Sequence, residues 1–222
     1  MAQTERYLLE EACKYAALAY KDEIEDSIKI ESRITSTTAF VIKRRHTDII
    51  CFRGTQQVRD WLFNLCAIPV PYAGRLCHSG FVAAHASVWG KIKKHIDFDK
   101  PTLICGHSLG GALSEISAAK LHKKHTQLSL VTFGKPNTFF KGFKRPMNLK
   151  DQVSVVSGSD LVARIPRLFH ANNGEDFVDP PSELKRRDFM SAKKEAISDH
   201  FMPGYKKRLK KYLAKKSKRV KH

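Results

Sequence analysis

Ser108 is the residue of this chain best placed to do chemistry. It sits in Gly106-His107-Ser108-Leu109-Gly110, with the apolar run Thr102-Leu103-Ile104-Cys105 before it. After it, Ala112, Leu113, Ile116 and Leu121 fall at helical spacing. A short buried strand, Gly-x-Ser-x-Gly and a helix make a sharp turn that exposes the serine hydroxyl and aims the first helical amides at charge developing beside it. That is the requirement of a nucleophile. A serine hydroxyl also needs a base, and the base needs an orienting acid.

Both partners are sought downstream. Gln152-Val153-Ser154-Val155-Val156 reads as a strand running into Ser157-Gly158-Ser159-Asp160. An acid just past a strand's C-terminal end lies on the functional edge of an open parallel sheet, which selects Asp160. Asp151, at the start of the same strand, lies at the opposite edge. Three histidines follow Asp160. His222 ends a lysine-rich tail. His170 is close to Asp160 behind a proline-bounded segment. His200 lies in Ser198-Asp199-His200-Phe201 just before Pro203-Gly204. The residues favour His200 and leave His170 open.

Several blocks over roughly residues 35 to 205 resemble, in order, the class 3 lipases, the family of the filamentous-fungal triacylglycerol lipases. They are Phe52-Arg53-Gly54-Thr55 with Asp60-Trp61 and Asn64, then His78-Ser79-Gly80-Phe81. The elbow with its added Gly111-Ala112 follows, then Thr132-Phe133-Gly134-Lys135-Pro136, Asp160-Leu161-Val162 with Ile165-Pro166, and Asp199-His200. The resemblance implies an α/β-hydrolase fold, an α/β architecture with a mostly parallel central sheet flanked by helices. It assigns the triad to Ser108, Asp160 and His200, and the oxyanion amides to Thr55 and Leu109. It also places the start of a lid at Trp61, Leu62 and Phe63, where the segment is amphipathic. Arg53 is expected to make a structural ion pair.

The implied reaction is serine carboxylic-ester hydrolysis of lipid esters such as acylglycerols through an acyl-enzyme. A phospholipase and a small-ester esterase are the alternatives within that chemistry, and a catalytically silent basic binding module is the alternative outside it. No cofactor is implied. None of the five cysteines forms a Cys-x-x-Cys pair, so no metal is expected.

The remaining elements must position these residues. One domain is expected over 1–213, with a basic tail over 214–222. The 222 residues carry a formal charge of +18, and residues 206–222 hold ten cations and no acid. Tyr205, Leu209, Tyr212 and Leu213 give the first part of that stretch an amphipathic helical stripe. Its charge suits peripheral contact with an anionic membrane, or non-specific contact with nucleic acid. A hairpin is expected over about Thr38 to Phe52 and an N-terminal helix through Leu9, Ala12 and Tyr15. A strand is expected near 128–133, and an exposed loop over Asp176 to Arg187. No apolar run has the length of a membrane span or a leader core, and the odd cysteine count suggests free thiols. An intracellular, cytoplasmic enzyme working at membrane surfaces is therefore expected.

Overall fold

The computed structural model describes residues 3–22, 24–55, 68–141, 147–157, 160–166, 169–170, 175–179 and 200–219. Its centre is a seven-stranded sheet in the order β1-β2-β3-β6-β7-β9-β11. The first three strands, β1 (Ser27–Ser32), β2 (Thr37–Ile42) and β3 (Asp48–Phe52), form an antiparallel meander. From β3 onward the pairings are parallel, through β6 (Thr102–His107), β7 (Leu128–Phe133), β9 (Asp151–Ser157) and β11 (Glu175–Asp179). Every residue of β2, β3, β6 and β7 is buried, as a sheet covered on both faces requires.

Side-chain alternation sorts the strand residues onto two faces. Phe40, Ile42, Leu103, Cys105 and Phe133 pack toward α1 (Gln3–Leu18) and the C-terminal helix. Val41, Ile50, Phe52, Ile104 and Leu130 pack toward α2 (Ser79–Ile92) and α3 (Leu109–Leu121). The C-terminal helix, α4 (Met202–Arg219), lies on the α1 side and buries Tyr205, Leu209 and Leu213. It continues past residue 213, where the sequence reading ends the domain. A second sheet, β10-β8-β5-β4, is built from β4 (Pro69–Tyr72), β5 (Arg75–His78), β8 (Phe139–Phe140) and β10 (Phe169–His170).

The architecture is the α/β sheet flanked by helices that the sequence implies, and the hairpin, N-terminal helix and strands fall where expected. One segment differs. Glu175–Asp179 forms the parallel edge strand β11, although it lies within or beside the segment read as a loop. Phe177 and Val178 stand between acids and before Pro180-Pro181, a composition that suits an edge strand as well as a loop.

Candidate active site

The turn between β6 and α3 carries Ser108 with φ 56° and ψ −129°. A side-chain-bearing residue holds that conformation at a cost of order 1–3 kcal/mol. The backbone around it is fixed: Ser108 N–H donates to the Phe133 carbonyl (2.9 Å), and the Ser108 carbonyl accepts from Gly111 N–H (2.9 Å). The glycines make the turn close enough. A Cβ on Gly106 would lie 2.5 Å from the Gly110 backbone, and one on Gly110 would meet the Phe52 carbonyl at the end of β3. The turn is thus wedged against the strand that leads to Thr55.

His200 is placed by the segment that enters α4, and Asp160 by the loop after β9. Asp160, a carboxylate, can only accept, so the 2.9 Å contact with His200 Nδ1 is an N–H donated to Asp160 Oδ2. That tautomer leaves Nε2 as an acceptor for the Ser108 hydroxyl at 2.8 Å. All three residues are buried, with relative exposures of 0% for Ser108 and Asp160 and 1% for His200. The structure therefore brings together the three residues selected from sequence in one hydrogen-bonded line. Asp151 lies at the other end of β9 and accepts from the Ser129 hydroxyl (2.9 Å). His170 falls in the small sheet opposite Phe139.

Leu109 supplies the first amide of α3, which has no intrahelical acceptor. Thr55 follows β3 and lines a cavity of about 530 Å³ with Tyr20, His107, Phe201 and Met202. Trp61, Leu62 and Phe63 lie outside the described residues. Arg53 pairs with Asp22, as expected of a structural cation.

Three further residues support the line, and sequence reasoning did not single out their roles. Tyr205 donates its hydroxyl to Asp160 Oδ2 (2.6 Å) and accepts from Ser157 N–H (3.1 Å). With Val162 N–H on Oδ1 (2.9 Å), three donors converge on a carboxylate whose desolvation they offset. Burial, followed by the neighbouring Asp160 charge, raises the Tyr205 phenol well above its ordinary value, so it stays a donor.

His107 contacts the His200 carbonyl through Nε2 (2.6 Å) and Tyr20 through Nδ1 (2.7 Å). A carbonyl only accepts, so Nε2 carries the proton and Nδ1 accepts the Tyr20 hydroxyl. Burial, reinforced by the nearby His200, holds the His107 pKa well below the ordinary histidine value. His107 is thus a neutral strut between the N-terminal helix region and the backbone of His200. The sequence offered only partial signals: a tyrosine in the apolar stripe of α4, and a polar residue at the variable position before the elbow serine.

The family described as Lipase (class 3) matches residues 49–170. A secreted mono- and diacylglycerol lipase of Fusarium solani is 33% identical over 135 residues, covering 54% of this chain and 39% of the relative. A lipase of Rhizomucor miehei is 31% identical over 121 residues, covering 46% of this chain and 33% of the relative. The matched stretch thus spans well under half the length of either. Among solved structures, a lipase of Rhizopus microsporus var. chinensis superposes with a TM-score of 0.71 at 20% identity, covering 90% of this chain and 87% of that one.

These relatives correct one expectation. The chain was read as intracellular and cytoplasmic, yet the Fusarium relative is a secreted lipase. The thiols do not bear on the question. Cys13, Cys51, Cys77 and Cys105 are free and buried, and burial pushes Cys13 up to about 11 and Cys77 up to about 12. Buried, protonated thiols are inert in any compartment.

Proposed function

Because the chain belongs to the class 3 lipase family, we propose that it is a serine carboxylic-ester hydrolase acting on lipid esters through an acyl-enzyme. The observation that carries this reading is the unbroken line from Ser108 through His200 to Asp160. In this reading Ser108 Oγ attacks the ester carbonyl as its proton passes to His200 Nε2. Asp160 keeps the imidazole in the required tautomer and offsets the positive charge it acquires. The tetrahedral oxyanion is met by the amides of Thr55 and Leu109, donors of a kind worth about 10²–10³ in rate each. His200 then protonates the departing alcohol. A water molecule, deprotonated by the same nitrogen, releases the acid and restores the serine.

Acylglycerols are the proposed substrates, supported by the mono- and diacylglycerol specificity in the Fusarium relative's name. Trp61, Leu62 and Phe63 are assigned the acyl-side contact on their amphipathic sequence. The exposed lysines of α4, among them Lys206, Lys207, Lys210 and Lys211, are assigned to an anionic lipid surface, where each is worth about 1 kcal/mol.

Hydrolysis of p-nitrophenyl esters from acetate to palmitate, by the wild type and by Ser108→Ala, tests the reading. Turnover that the substitution abolishes and that rises with chain length is the expected result. A correctly folded wild type that turns over no ester would overturn it in favour of a binding module.

A further inference from the structure

The face formed by α1 and α4 has chemistry that the catalytic line does not use. Between the two helices runs a cavity of about 610 Å³, with Cys13, Ala17, Leu18, Leu209 and Leu213 along its walls. Arg6, Lys14, Lys21, Lys206 and Lys210 line it too, with Glu10 the one acid among the described residues of the lining. Glu10 is engaged by Arg6 at 2.9 Å. None of the four lysines has a carboxylate partner among the described residues. Lysines flanking an apolar trough lend it their methylene stems and keep their ammonium groups in water.

The trough adjoins the cavity lined by Thr55. Ala17, Lys21 and Lys206 line both, and the other walls of that second cavity include His107 and Met202. From Arg6 to Leu18 the α1 wall of the trough extends about 18 Å at 1.5 Å per residue, room for a long alkyl chain. An apolar floor with unneutralised cations at its rim is complementary to one kind of small molecule, an aliphatic chain bearing an anion. The anion belongs at the junction, where Lys21 and Lys206 face both cavities.

We propose that the trough between α1 and α4 binds a long-chain fatty-acid anion, its carboxylate between Lys21 and Lys206 and its chain over Ala17, Leu209 and Leu213. The inference rests on the proposed ester hydrolysis for the source of that acid, the acyl product released at Ser108. The trough then acts as an exit station that receives product on the side of the α1–α4 face.

The test is calorimetric titration of the full-length Ser108→Ala chain with oleate below its micellar concentration, so that binding is read without turnover. Saturable binding is expected, weaker by about tenfold in K21E/K206E, unchanged in K123E/K124E on the far side of the molecule, and undetectable with butyrate. Equal loss in the two double variants would reduce the effect to net charge and overturn the proposal. So would binding of butyrate as strong as that of oleate. Oleate that fails to bind while the chain dimerises over the same concentration range would assign the trough to a second copy instead. Because the titration uses the Ser108→Ala chain, failure of the trough and failure of the ester-hydrolase reading remain separate results. Circular dichroism of K21E/K206E and of K123E/K124E, whose lysines are all exposed, verifies that both double variants are folded.

Discussion

Among the described residues are two buried serine–histidine pairs, and one of them has the makings of a catalyst. At the sheet edge His200 Nε2 meets Ser108 Oγ at 2.8 Å, and between α2 and α3 His85 Nε2 meets Ser117 Oγ at 2.9 Å. Distance and burial do not separate them. Proton direction does. Ser117, in the middle of α3, donates to the Leu113 carbonyl (3.0 Å), so its oxygen accepts from His85 and its proton is committed to the helix. His85 Nδ1 then accepts the Tyr72 hydroxyl (3.1 Å). Ser108, held at a positive φ where no helix bond takes its hydroxyl, donates to the imidazole instead. The third partner differs as well: a carboxylate behind His200, a phenol behind His85. A carboxylate supports imidazolium and a phenol does not. His85 is further enclosed by Phe52 and Trp89, and burial, with Lys120 nearby, lowers its pKa to about 3. A neutral strut and a base can share the same pair of residue types.

The contrast is sharpest at the serines. Ser108→Ala is expected to lower ester turnover by about 10⁴ or more. Ser117→Ala should leave turnover within a few-fold and lower unfolding free energy by about 1 kcal/mol, as denaturant titration of the same preparations would show. Comparable activity losses in both would erase the distinction.

Asp160→Asn, which keeps the shape but inverts the favoured tautomer, should reduce kcat by about 10³–10⁴. Tyr72→Phe, its counterpart behind His85, should leave kcat essentially unchanged. Steady-state kinetics on one soluble ester suffices for both.

The histidines also give the stability a pH dependence. His85, His78 (lowered to about 4 by burial) and His107 are neutral in the folded state, whereas in the unfolded chain each takes up a proton near pH 6.5. Their contribution is whole above that pH and is lost as pH falls toward their folded values. The loss is about 1.4 kcal/mol per pH unit for each. Urea unfolding at pH 7, 6 and 5 should therefore show falling stability, and His85→Gln should flatten the slope by about that amount. An unchanged slope would mean that His85 is protonated in place.

Among the variants expected to slow turnover, the smallest effect is at Tyr205. Tyr205→Phe removes one of three donors to Asp160 and should reduce kcat by about tenfold, with KM little altered. Altered KM with unchanged kcat would make Tyr205 a packing residue only.

How much of this was legible in the sequence depended on how local each signal is. Ser108 was readable because its strand, turn and helix are contiguous, and Asp160 because its strand end could be read from the alternating run before it. His200 required the family resemblance, since nothing local separates it decisively from His170. The supports were hidden. Tyr20, His107 and Tyr205 act through contacts across 87, 93 and 45 residues of chain, and no periodicity encodes which hydroxyl of an apolar stripe will meet a carboxylate. Residues 176–179, most of the edge strand Glu175–Asp179, were read as loop because a short edge strand rich in acids and followed by prolines has the composition of a turn.

The four buried thiols are natural reporters of how this fold opens. Cys13, Cys51 and Cys105 belong to the core under α1 and α4, and Cys77 to the core under α2 and α3. In a Cys66→Ser background, an alkylating reagent can reach each site only when its own layer parts from the sheet. Resolving the adducts by mass would therefore time the two layers separately, and would tell whether the face bearing the trough detaches before the face bearing the elbow helix.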